Sequence, residues 1–141
     1  MPMPPMPPEF SIAVHLLGSL NVPIDPLTLS SLRDAAYART LTILRNDEGS
    51  PVGLVCWAGG NKNSVQIADR FNLFPRQAWE FKEGRIAMLL LVHFLHPFNV
   101  EARQAFMRFI RTRRAVYYTR KNRKRLALRT SQGFRLAGVD R

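Results

Sequence analysis

Acidic residues are missing from most of the last third of this chain: no Asp or Glu lies between Glu101 and Asp140. Residues 102–141 carry 13 Lys and Arg against that single Asp, whereas residues 1–101 carry 8 against 9 acidic residues. The net charge of +11 therefore belongs to one end. An even spread of basic side chains would serve solubility; segregation predicts a surface that attracts something anionic. Cysteine is nearly absent too. A lone Cys56 excludes an internal disulfide and a Cys-based zinc site, and it fits a reducing compartment. His occurs three times. His93 and His96 would point to opposite faces of a strand, so no metal site is expected. The longest apolar run, residues 86–95, contains His93 and is about half the length a membrane span needs, so no span is expected. The opening Met-Pro-Met-Pro-Pro-Met-Pro-Pro has neither the basic nor the apolar region of a signal peptide. The expected location is cytoplasmic, or a virion for a phage-derived chain.

A hydrophobic fraction of 46% over 141 residues is enough for one domain with a real core. The prolines of residues 1–9 cannot donate backbone hydrogen bonds and favour polyproline II, which predicts an extended arm able to meet a protein partner. Residues 10–141 form the domain, with the basic segment at 102–141. Phe10, Ala13, Val14 and Leu17 recur at helical spacing, with Gly18 in the place of a C-cap. Asp25-Pro26 reads as an N-cap followed by Pro at the first helical position, with Leu29, Leu32 and Ala36 on one face. Thr40–Arg45 and Val52–Trp57 flank Asn46-Asp47-Glu48-Gly49-Ser50, a hairpin pattern. Ser64–Phe71 reads as a helix. Ile86–Leu95 does not alternate, as expected of a strand covered on both faces. Ala102, Ala105, Phe106, Phe109 and Ile110 make an apolar stripe along 101–114, with Arg103, Arg108, Arg111 and Arg114 outside it. Ala115–Thr119 reads as a strand and Arg120–Arg129 as a basic helix, before Gly133-Phe134 and a last strand. This order predicts an α+β fold with a mostly antiparallel sheet covered by helices.

Two segments carry a resemblance. Asp47–Ala58, with its turn, Pro51-Val52, short strand and Trp57-Ala58, is similar to the hairpin of the RTX toxin-activating lysine acyltransferases. Trp79, Gly84 and the strand running into His96-Pro97-Phe98-Asn99 resemble that family's second hallmark, and the likeness spans roughly residues 10–110. It implies a GNAT-like fold and transfer of an acyl group from acyl carrier protein to a protein lysine, with no bound cofactor. The Gly-rich pyrophosphate loop of coenzyme A users is missing, as it is in acyl-carrier users. The family relies on a His just after the first helix and an Asp in the second hallmark. Here His93 stands at the Asp position, and Ser19-Leu20-Asn21-Val22-Pro23 contains no His. An imidazole cannot orient and charge-stabilise another imidazole as a carboxylate does, which implies weak activity or none.

His93 is the candidate catalytic residue, against the plainer reading of a hydrogen-bonded structural His. Cys56, inside an expected strand, reads as a buried inert thiol. The basic candidates are Arg111, Arg113, Arg114, Arg120, Lys121, Arg123, Lys124 and Arg125. Three readings stay open for them: a solvated face, a dock for acidic acyl carrier protein, or a non-specific nucleic-acid or other polyanion surface. Tyr117 and Tyr118 lie between the two basic runs, and strand alternation lets at most one join that surface. No signature of sequence-specific nucleic-acid recognition accompanies the charge. The rival to an acyltransferase-like protein is thus a non-enzymatic basic component of a phage particle or other nucleoprotein assembly, and an oligomer is left open.

Overall fold

Helix punctuation in the sequence sets the first half of the fold. The computed structural model describes residues 5–75, 84–96, 99–120, 123–130 and 133–137. Helix α1 spans Pro8–Ser19 and α2 spans Pro26–Ala38. Pro8 is the first residue of α1 and Glu9 lies in its first turn, so these two residues of the expected arm are helical, and Pro7 before them has polyproline II values, φ −58° and ψ 144°. Gly18 falls inside α1; the left-handed residue after the helix is Asn21, at φ 55°. Asp25 caps α2 as expected, its carboxylate accepting from the Thr28 N–H at 2.7 Å. That bond holds the Asp25 carboxyl below its ordinary pKa.

Strands β1 (Leu41–Arg45) and β2 (Pro51–Gly60) form the expected hairpin. Asn46 Oδ1 closes its turn by accepting from the Glu48 and Ser50 N–H groups, and Gly49 takes φ 84°. Helix α3 (Lys62–Phe71) starts with a capping box between Asn61 and Ser64. Strand β3 is Ile86–Phe94, α4 is Val100–Arg111 and β4 is Ala115–Arg120. Strands β5 (Arg123–Thr130) and β6 (Gly133–Ala137) follow. The basic helix expected over Arg120–Arg129 is therefore absent: this segment closes β4 and supplies β5. Lys, Arg, Leu and Ala favour helix in isolation, but β5 is paired antiparallel on both sides, with β4 and with β6. Two ladders of hydrogen bonds override a propensity of a few tenths of a kcal/mol per residue.

The six strands make one sheet in chain order, antiparallel at every step except β3–β4, which is parallel and bridged by α4. The described residues thus form one α+β domain of four helices and six strands, consistent with a GNAT-like arrangement. Helices α1 and α2 pack on one face through Leu16, Leu17, Leu32 and Ala35 against Leu41, Leu54, Cys56 and Ala58. Helix α4 packs on the other face through Ala102, Ala105 and Phe109 against Leu44, Val52 and Val55. Its expected apolar stripe is the buried one, and Arg103, Arg108 and Arg111 are exposed. Helix α3 lies on the α1/α2 side and buries Val65 and Ala68 against Met88 and Tyr117. Gly84 is required where the chain enters β3: its N–H donates to the Gly59 carbonyl at 3.0 Å, and a Cβ there would overlap the Gly60 backbone.

Candidate functional site

The parallel pairing of β3 with β4 lasts only from Ile86/Ala115 to Met88/Tyr117. Beyond it, β3 carries a bulge. Cys56 of β2 faces Leu91 and Trp57 faces Leu89, which leaves Leu90 as the extra residue. A bulge bends its strand and increases local twist, so β3 turns away from β4 where the pairing stops. The two strands splay around a cavity of about 930 Å³. Leu89, Leu91 and Phe94 of β3, Phe106 and Ile110 of α4, and Tyr118 and Arg120 of β4 line it, with Leu27 and Phe74 from the other side of the sheet and Phe134 from β6. The walls are mainly apolar. Among the described lining residues Arg120 alone carries a charge, and there is no His, Asp, Glu or Cys.

His93 is not part of that cavity. It faces Leu54 of β2, between Leu91 and Leu95, half-buried on the α1/α2 side of the sheet. Burial lowers its pKa, because the protonated ring loses hydration. No hydrogen bond or carboxylate among the described residues holds its ring. His15 is exposed on α1, and His96 is exposed beyond the end of β3. The described residues contain no cluster of three or more His, Cys, Asp or Glu placed to hold a metal. Cys56 is buried, and desolvation pushes its thiol up to about 12. Trp57 lies in the α4 core, its ring 5.9 Å from Phe109 and its Nε1 donating to Thr42 Oγ1 at 3.1 Å. Trp79, Pro97 and Phe98 of the second hallmark lie outside the described residues.

The basic candidates divide by strand alternation. Tyr117 pairs with Leu126, and both pack toward α3. Lys124, two residues before Leu126, shares that side, and its Nζ donates to the Ala68 and Asp69 carbonyls at 3.0 and 3.4 Å. Those carbonyls close α3, so Lys124 serves as a charged helix cap. Tyr117 is buried and its hydroxyl donates to Asp69 Oδ1 at 3.2 Å; burial first, then the Asp69 charge, raises its pKa. The opposite side of the same strands is different. Arg120 pairs with Arg123, Tyr118 with Arg125 and Phe134 with Arg129, so these six side chains share the face on which α4 lies. Helix α4 itself packs over β1 and β2, at the far end of the sheet, and leaves this part of the face open. Arg120, Arg123 and Arg129 are exposed, and Leu136 beside them is 54% exposed.

None of these four arginines pairs with a carboxylate among the described residues. Arg129 Nη1 donates to the Arg111 carbonyl at 2.9 Å. Arg125 Nε is buried and has no hydrogen-bond partner. Arg113 is used in packing, its guanidinium 4.4 Å above the Trp57 ring and 5.3 Å from Phe109. Burial lowers its pKa. Arg111 and Arg114 are exposed at the end of α4 and in the turn to β4. Lys121 lies outside the described residues. Arg129, absent from the basic candidates, belongs to the row, and the i, i+2, i+6 spacing of Arg123, Arg125 and Arg129 puts all three on one side once 123–130 is read as a strand. The same reading brings Phe134 opposite it.

No protein-family model and no curated protein matches the chain. Among the described residues no helix is long and apolar enough to cross a membrane.

Proposed function

We propose that this protein binds an anionic macromolecule through the arginine face of β4–β6, without sequence-specific readout and without catalysis. The observation that carries this reading is the row Arg120, Arg123, Arg125 and Arg129 on an open sheet face, with no carboxylate among the described residues to neutralise it. Arg is the residue suited to phosphate, because its planar fork donates two parallel bonds. Nucleic acid supplies such groups in series, and the reading fits a basic component of a nucleoprotein assembly. The test is the salt dependence of binding to a fluorescent oligonucleotide. With roughly four phosphate contacts the slope of log K against log salt is about −3 to −4. A slope near zero overturns the reading.

A second reading has its own observation. The apolar cavity between β3 and β4 has the size and lining to hold an acyl chain, and the arginines beside it suit an acidic carrier protein. This agrees with the resemblance to the lysine acyltransferases. Transfer chemistry needs a base, and among the described residues neither His93 nor any carboxylate lines the cavity. The reading therefore predicts acyl-carrier binding with transfer at least about a hundredfold below that of an enzyme with an intact acid–base pair. Incubation with acyl carrier protein bearing a labelled acyl group tests it; efficient transfer that His93→Ala abolishes in a folded protein would restore the enzyme.

A further inference from the structure

We infer that the nucleic acid taken by the β4–β6 face is single-stranded, with its phosphates on the arginine row and its bases stacked on Tyr118 and Phe134 in the mouth of the β3/β4 cavity. This deepens the proposed function and rests on it. The arginine row alone would serve any polyanion; the aromatic pair narrows the choice. Tyr118 and Phe134 lie on the same face as the arginines, each directly across a strand pair from one, Arg125 and Arg129 respectively. Both line the cavity. Arg123 and Arg125 are about 6.6 Å apart along β5 and Arg129 follows two alternations later, so the cations run in a line along the strand.

A chain laid on that line can turn its flat, apolar groups toward the cavity on one side while its charges remain on the arginines. An unpaired strand has bases free to do so. A duplex keeps its bases stacked inside and presents only phosphate to a flat sheet. Aromatic platforms beside a basic track are the general means of holding single strands without reading sequence, because every base has a stacking face. The cavity of about 930 Å³ is roomy enough for a base to enter beside Tyr118 without displacing core side chains. Arg125, paired with Tyr118 across β4 and β5, brings a guanidinium beside that ring.

The experiment compares three probes by fluorescence anisotropy at one salt concentration: a single-stranded oligonucleotide, its duplex, and inorganic polyphosphate of matched charge. Acyl carrier protein is a fourth. Single strand is expected to bind at least about tenfold more tightly than duplex or polyphosphate. Tyr118→Ala and Phe134→Ala should each weaken single-strand binding by about 5- to 150-fold and leave polyphosphate binding unchanged. Tyr118→Phe and Phe134→Tyr keep a stacking face, so they should keep single-strand binding and also guard against loss of fold in the alanine variants. Equal affinity for single strand, duplex and polyphosphate, all lost in Arg123→Gln/Arg125→Gln, overturns the stacking inference and leaves the polyanion reading standing. No binding to any of the three, or binding to acyl carrier protein alone, overturns both.

Discussion

The two halves of the sheet use arginine in opposite ways. Over β1–β3, cations are consumed by the fold. Arg108 of α4 reaches Asp47 at 3.3 Å and the Arg45 carbonyl at 3.2 Å, tying the helix to the β1–β2 turn. Asn46 Nδ2 donates to Glu101 at 3.0 Å, so the first turn of α4 is held to the same hairpin. Over β4–β6, the arginines of one face have no carboxylate partner among the described residues, and no described helix covers them. One half is closed by packing and balanced in charge; the other is open and unbalanced. Strand alternation sharpens the contrast within β5, where Lys124 supports α3 on one side while Arg123 and Arg125 lie on the other. Adjacent residues of one basic run therefore do different jobs.

The largest effect expected is in the closed half. Phe109→Ala should cost about 3–5 kcal/mol in denaturant unfolding, because its ring fills the α4 interface against Trp57. Arg108→Ala, whose ion pair with Asp47 is exposed, should cost well under 1 kcal/mol. Equal losses would mean that charge and not packing holds α4. In the open half, Arg123→Gln/Arg125→Gln should lower oligonucleotide affinity by about one to two decades and shallow the salt slope by about 2. Its unfolding free energy should stay within about 0.5 kcal/mol of the parent. Lys124→Ala should reverse that pattern, losing about 1 kcal/mol of stability with the salt slope unchanged. A Lys124 variant that binds as weakly as the arginine pair would erase the distinction between the two sides of β5.

The smallest effect concerns His93. Its folded pKa lies below the ordinary 6.5 because burial disfavours the charged ring. The unfolded chain therefore binds the proton more readily, so stability is complete above about pH 6.5 and falls as pH drops through the folded value. His93→Gln should flatten that acid limb in thermal unfolding. An unchanged limb would show that His93 titrates as freely in the fold as in the unfolded chain.

Much of this architecture was legible from local signals. The Asp25-Pro26 cap, the turn around Gly49 and the apolar stripe of α4 all report local chemistry, and the described residues bear out each of them. Strand β5 reads as a helix in the sequence because Arg, Lys, Leu and Ala favour helix, while the pairing that overrides them comes from β4 and β6 on either side. That reading hides the site: on a helix, Arg123, Arg125 and Arg129 do not share a side, and Phe134 has no reason to lie opposite Arg129. The cavity was equally out of reach. It depends on a bulge at Leu90, where β3 gains one residue against β2, and nothing in Met88-Leu89-Leu90-Leu91-Val92 marks the position.

The central claim, that anion binding belongs to the β4–β6 face alone, is tested most directly by arginine side-chain NMR. In the Nε–Hε spectrum of the protein titrated with a short single-stranded oligonucleotide, Arg120, Arg123, Arg125 and Arg129 should shift, because they share the open face. Arg33, Arg45 and Arg108 should stay in place. Shifts concentrated on the outer face of α4, at Arg103 and Arg108, with Arg123 and Arg125 unmoved would contradict the account.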